Sequence, residues 1–287
     1  MKRIACLFVA CTSLAGCRQS QARICLTEPQ ARKLNLRFTD ALAADSRQNV
    51  FLLTGGNIVR YGPREHEIEE LLRESRRDLV DVAVAPEDML LALGRDALYA
   101  VFAGELVELL KLPGQGLKVS CHGDHVYVLV GTRAGRQGLL RYDFARKHVE
   151  PLLVTPEQIS AVCAVPGGCL VAAGGSLYKL FVPEASAAGA AREVHRVLLL
   201  ATAGKAIVSV AADPRHAMVY FAGPNMTYAW AKRRAVPLFP MGGQVRYHRG
   251  VLAIASPGLR QVVQLTEPAA RADRMLRDAP PAVLPPS

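Results

Sequence analysis

Aromatic residues are scarce in this 287-residue chain: Phe, Tyr and Trp make up 6% of it, with a single Trp. Three basic clusters occur, Arg73/Arg76/Arg77, Arg141/Arg146/Lys147 and Lys232/Arg233/Arg234, and none interleaves with aromatics. A single-strand nucleic-acid platform combines cations with stacking rings, so no nucleic-acid partner is expected. After the first residues no segment reaches about 18 uninterrupted apolar residues, so no later membrane-spanning helix is expected. Catalytic signatures are lacking too. There is no Gly-x-Ser-x-Gly elbow, no phosphate-cradling Gly loop and no His-Glu-x-x-His pair.

What is present begins at the N-terminus. Met1-Lys2-Arg3 is a short basic head, and Ile4 to Gly16 carry no charge and are mostly apolar. A basic head, a short apolar stretch and small residues before a cut describe a secretory signal over residues 1–16. The apolar stretch is too short to remain as a membrane span, which needs roughly 20 residues. Leu14-Ala15-Gly16-Cys17 resembles the lipobox of bacterial lipoproteins. That resemblance implies cleavage before Cys17, a diacylglycerol on its thiol and usually acylation of the new amine. Arg18 rather than Asp follows Cys17, which by the same resemblance directs the protein to the outer membrane, on its periplasmic side. Two or more acyl chains hold a protein durably, where one does so marginally.

The formal net charge is +10, and about +8 without Lys2 and Arg3. Outside the cytoplasm such a surface meets anionic lipid headgroups, anionic polymers or acidic proteins. Of the seven cysteines, Cys6 and Cys11 leave with the signal and Cys17 is the lipidation site. Cys25, Cys121, Cys163 and Cys169 remain, an even number in an oxidising compartment. Cys163 and Cys169 flank Val165-Pro166-Gly167-Gly168, a hairpin turn across which a disulfide is the expected pairing if the register allows. The other reading is two small buried thiols.

A repeat dominates the rest. Val80–Ala85 turns through Pro86-Glu87-Asp88 into Met89–Leu93, and after Gly94 comes Ala97–Val101. Ile159–Ala164 turns into Cys169–Ala173, followed by Gly174-Gly175 and Ser176–Leu180. Similar units start near residues 41, 80, 117, 159, 206 and 243, a mean spacing of about 40. Three or four short strands at that period are the requirement of a β-propeller blade. The expected fold is therefore all-β, a six-bladed propeller over residues 33–267; a β-sandwich or two small β domains is the alternative. Outer strands are expected at 68–72, 106–110, 149–154, 194–200 and 236–239, with none after Leu265. Lys33–Phe38 alternates polar and apolar residues and is expected to close the ring, removing an open sheet edge. Residues 17–32 then read as a lipidated linker, and residues 268–287, rich in Ala, Arg and Pro, as a disordered tail with at most one helical turn.

Cys121-His122-Gly123-Asp124-His125 is the densest set of ligand-type side chains. Imidazole and thiolate suit zinc or copper, making Cys121, His122, Asp124 and His125 the weak candidates for a metal. The segment falls on an inter-strand turn, however, where Gly and Asp serve the backbone. Neighbouring residues of an extended chain also point to opposite faces. No cofactor, metal or catalytic residue is assigned.

The blades resemble NHL-like propellers and the sugar-lactone hydrolase relatives over roughly Ala41 to Leu265. The lactonase resemblance implies a divalent metal held in the channel by Glu, Asn and Asp of inner strands. Here those strands carry Ala, Val, Ser and Cys, with Asp81 as the possible carboxylate. The architecture also resembles the propeller lipoprotein of the outer-membrane barrel-assembly machine, an anchored disc that presents loops. The expected function is a non-enzymatic scaffold binding an envelope protein complex or anionic polymer. The alternative is a metal-dependent lactonase-like hydrolase.

Overall fold

The computed structural model describes residues 22–27, 41–54, 56–62, 68–73, 78–132, 134–182, 194–202, 206–256 and 261–278. Within them six four-stranded antiparallel sheets form a six-bladed β-propeller. Strand β1 is Ala22–Thr27. Blade 1 is β2–β5 (Ala41–Ala44, Val50–Thr54, Asn57–Tyr61, Ile68–Leu72) and blade 2 is β6–β9 (Leu79–Val84, Leu90–Gly94, Ala97–Phe102, Glu105–Lys111). Blade 3 is β10–β13 (Gln115–His122, His125–Gly131, Gln137–Asp143, His148–Thr155) and blade 4 is β14–β17 (Ile159–Val165, Gly168–Ala173, Ser176–Phe181, His195–Ala201). Blade 5 is β18–β21 (Ser209–Asp213, Met218–Ala222, Thr227–Ala231, Arg234–Phe239), and blade 6 is β22–β24 (Gln244–His248, Val251–Ser256, Gln261–Thr266) with β1 outside β24.

The core lies between the sheets. Strand side chains alternate faces, so each central strand feeds two interfaces. Leu91 and Leu93 pack towards blade 3, whereas Leu90 and Ala92 pack towards blade 1. The same division recurs around the ring, including the closing contact of Leu42, Leu52 and Val59 with Ala253, Ala255 and Val262. This two-sided burial explains why the second strands read as unbroken apolar runs. In blades 1 to 5 the third and fourth strands also share a register shift, at Ile58/Val59, Leu98/Tyr99, Leu139/Leu140, Leu177/Tyr178 and Thr227/Tyr228. Such bulges increase local twist, and here they recur near the start of the third strand in these five blades.

Two expectations need correction. The ring is closed by Ala22–Thr27, which pairs antiparallel with β24 from Ala22↔Leu265 to Thr27↔Gln261. Lys33–Phe38, expected in that role, lies outside the described residues, as do the signal segment and Cys17. Ala22-Arg23-Ile24-Cys25-Leu26 offers as good an apolar strand, and it reaches the ring five residues after Cys17. The stretch after Thr266 is not a disordered tail from the start. Pro268–Asp278 forms helix α1. Pro suits the first turn of a helix, whose N–H is unsatisfied anyway, and Ala-rich sequence favours continuation. Ala269, Ala272 and Leu276 recur on one face and are buried against blades 5 and 6.

Candidate functional site: the channel and its mouth

The six inner strands surround a cavity of about 430 Å³. Its walls are mostly small: Ala43 and Ala44 from blade 1, Ala83 from blade 2, Ser120 and Cys121 from blade 3, Cys163 and Ala164 from blade 4. Arg246, Tyr247 and His248 of β22 and Asp213 at the end of β18 supply the larger polar groups.

Short polar side chains of the inner strands bind the backbone of the next blade. Val119 N donates to Asp81 Oδ2 at 2.9 Å, Ala164 N to Ser120 Oγ at 2.8 Å, and Val245 N to Ser209 Oγ at 3.0 Å. Ser160 Oγ donates to Ile207 O at 2.6 Å. Blade 1 meets blade 2 through Ser46, whose amide and hydroxyl both donate to Asp88. The inner-strand Ser and Asp residues are thus inter-blade fasteners, and their oxygens are largely engaged.

Arg246 crosses the channel. Its guanidinium lies 3.5 Å from Asp81 Oδ1, donates to Val245 O at 3.1 Å, and sits 3.4 Å from Ser209 Oγ. Asp81 is fully buried and its Oδ1 also accepts from Val82 N. At the mouth Asp213, also fully buried, accepts from Arg215 N at 3.1 Å and lies 2.6 Å from His216 Nδ1. Burial, with the Asp213 carboxylate beside it, pushes the Tyr247 phenol up. His248 Nε2 is buried without a hydrogen-bond partner, and burial together with the Arg249 charge lowers its pKa against the opposing pull of Asp88 and Asp45.

A Ca²⁺ site needs six to eight oxygens. Both oxygens of Asp81 accept backbone N–H groups, and a tethered cation already faces it. Asp213 is likewise committed. No group of three or more His, Cys, Asp or Glu side chains gathers as a metal site among the described residues. The channel residues therefore do not fit the divalent metal that the lactonase resemblance implies.

The Cys121–His125 segment is the β10–β11 hairpin end, with His122 opposite His125 and Gly123 at φ +54° in the turn. Cys121 and His122 line the cavity. His125 lies 3.9 Å from Asp143, and Asp124 offers its carbonyl to Phe144 N. These side chains do not converge. Burial, reinforced by Asp124, pushes the Cys121 thiol up to about 12. The expected Cys163–Cys169 bridge is absent: both thiols are free. Ala164 pairs with Cys169 and Cys163 with Leu170, so the one-residue offset sends the two thiols to opposite faces. Gly167 makes the turn at φ +71°, and Gly168 lets β16 approach closely, because a Cβ there would meet Leu180 O at 1.9 Å. Cys163 faces the channel, where burial outweighs the Arg246 charge and raises it to about 11.

The basic clusters separate. Arg141 is buried and paired with Glu150 at 2.5 Å, leaving Arg146 and Lys147 outside. Lys232 and Arg233 stay exposed at the β20–β21 turn. Sequence reasoning missed Arg246. Its signal was present, since Gln244–His248 carries an Arg and none of the other five inner strands does.

The fold and site define a six-bladed β-propeller whose channel is bridged by an ion pair. Among solved structures it is similar to a putative gluconolactonase (TM-score 0.67, 9% identity, covering 87% of this chain and 92% of that one). It is similar to a gluconolactonase from Xanthomonas campestris (TM-score 0.64, 11% identity, 80% and 86%) and to regucalcin, a calcium-binding protein, from Agrobacterium tumefaciens (TM-score 0.61, 9% identity, 79% and 89%). At these identities the likeness establishes the fold. No family model matches the chain, and no curated protein matches it in sequence.

Proposed function

We propose that this chain is an envelope lipoprotein whose propeller acts as a non-enzymatic binding scaffold. The observation that carries this reading is the Arg246–Asp81 pair. It places a fixed positive charge in the channel, where metal-dependent hydrolysis would need free carboxylates. The lipobox resemblance at Leu14–Cys17 supports a lipid anchor at the periplasmic face of the outer membrane, and the excess of basic residues supports an acidic or anionic partner. Crosslinking in the intact envelope, followed by purification of the protein, tests the scaffold. A recurrent acidic partner complex or envelope polymer is expected; absence of any recurrent partner contradicts it. Incorporation of a palmitate analogue tests the anchor, with loss expected in Cys17→Ser.

A second reading, a lactonase-like hydrolase, is favoured by the putative gluconolactonase and the Xanthomonas gluconolactonase among the similar folds. It requires ligands other than those gathered in the channel. Hydrolysis of gluconolactone that depends on added Ca²⁺ would select it.

A further inference from the structure

The rim of blades 5 and 6 carries a basic ridge. The β20–β21 hairpin contributes Lys232, Arg233 and Arg234, and α1 contributes Arg271, Arg274 and Arg277. Across residues 232–234 and 267–278 these six cations face three acids, Glu267, Asp273 and Asp278. Hairpin and helix are brought together in space. Lys232, Arg234, Asp273, Leu276 and Arg277 surround one surface hollow, while Ala272 and Leu276 anchor the helix from behind. Among the described residues no carboxylate lies within ion-pair distance of Lys232, Arg233, Arg274 or Arg277. Arg271 lies over the Phe239 ring at 5.9 Å.

The ridge has a defined position relative to the chain start. Ala22, the first residue of β1, pairs with Leu265, and α1 begins at Pro268. Glu267 N donates to Gly250 O in the β22–β23 turn, which fixes this corner to the end of the disc where the channel mouth opens. Cys17 precedes Ala22 by five residues, at most about 18 Å of fully extended chain. An acyl group on Cys17 therefore holds the corner that carries α1 close to the bilayer. Charges within roughly one Debye length, about 8–10 Å, of an anionic surface are attracted to it.

We infer that the β20–β21 hairpin and α1 form a docking surface for anionic phospholipid headgroups beside the lipid tether. The inference rests on lipidation at Cys17 for its placement. Docking fixes the disc on the membrane by one edge, instead of letting it swing on its leash.

The test uses the mature lipidated chain in phosphatidylcholine vesicles, with and without 30% phosphatidylglycerol, and a nitroxide on a fraction of the headgroups. Trp230, the single Trp, lies two residues before Lys232 and reports the approach. Quenching is expected to rise at least twofold with phosphatidylglycerol and to fall back in 0.5 M NaCl. The same loss is expected in Lys232→Glu/Arg233→Glu and in Arg274→Glu/Arg277→Glu, with unchanged circular dichroism. Quenching indifferent to phosphatidylglycerol, or to both charge reversals, overturns the inference. So does tight binding of a soluble polyanion by a protein that ignores the vesicles. If mass spectrometry shows no acyl chains, the tether is refuted separately. Salt-sensitive sedimentation of that chain with phosphatidylglycerol vesicles, lost in the reversals, would still support the surface, and its absence would overturn it.

Discussion

Asp81 and Arg246 are separated by 165 residues and meet at 3.5 Å across the channel, one on the inner strand of blade 2 and the other on that of blade 6. Asp81 also receives Val119 N of blade 3, so one carboxylate ties three blades. Removing one partner of a buried pair costs several kcal/mol, because the other charge is left uncompensated. Asp81→Ala is expected to lower the unfolding free energy by about 3 kcal/mol. A double-mutant cycle with Arg246→Met, read by denaturant unfolding, is expected to show coupling of at least about 1 kcal/mol. Additive losses would mean that the pair is incidental.

The serine fasteners give a second expectation. Ser209 Oγ accepts Val245 N and lies 3.3 Å from Val245 O, so Ser209→Ala leaves a buried amide without its acceptor. A loss of about 1–3 kcal/mol is expected in the same unfolding measurement. Ser120→Ala, which frees Ala164 N, should behave alike. If neither variant shifts the unfolding midpoint, the inter-blade bonds do not stabilise the ring.

Acid should loosen the channel mouth. Folding lowers the pKa of His122, through burial and His125, and that of His248, through burial and Arg249, below the ordinary 6.5. Between the folded and unfolded values the unfolded chain binds more protons, so stability rises with pH there. The contribution is complete above about pH 6.5 and is lost as pH falls through the lower folded values. Thermal unfolding followed from pH 7.5 to 5 is expected to show a falling midpoint below pH 6.5, with a shallower fall in His248→Gln. A midpoint that stays level across that range in the unmodified protein would mean that neither histidine is held neutral by folding.

Thiol chemistry distinguishes the register from the bridge. With Cys163 raised to about 11 and Cys121 to about 12, both by burial first, little thiolate exists near neutrality. Alkylation of the native protein at pH 7.5 should be slow at both, and Cys169, fully buried, should react only on unfolding. A non-reducing peptide map in which Cys163 and Cys169 are joined would contradict the β14–β15 register.

Much of the fold was legible because a propeller repeats its errors as well as its signals. The inner-to-outer order of strands, and outer strands such as Ile68–Leu72, follow from a spacing of about 40 residues that no single blade reveals. The closing strand was harder, because two N-terminal segments alternate equally well and only long-range pairing with β24 chooses between them. Helix α1 was hidden by the prolines around it, although Pro268 starts the helix and does not break it. The channel was the least legible part. Asp81 reads as a free carboxylate in sequence, and only the ring closure sets Arg246 and Val119 N against it.

Among the described residues, the tethered Arg246 guanidinium and its backbone-bonded partner Asp81 leave the channel without a ligand set for a divalent metal. Metal content of the purified protein after dialysis against 1 mM Ca²⁺ and gel filtration tests it most directly, with Arg246→Ala alongside. Well under one equivalent of divalent metal is expected in the unmodified protein. One tightly held equivalent, with gluconolactone hydrolysis that tracks it, would show that the channel does hold a metal.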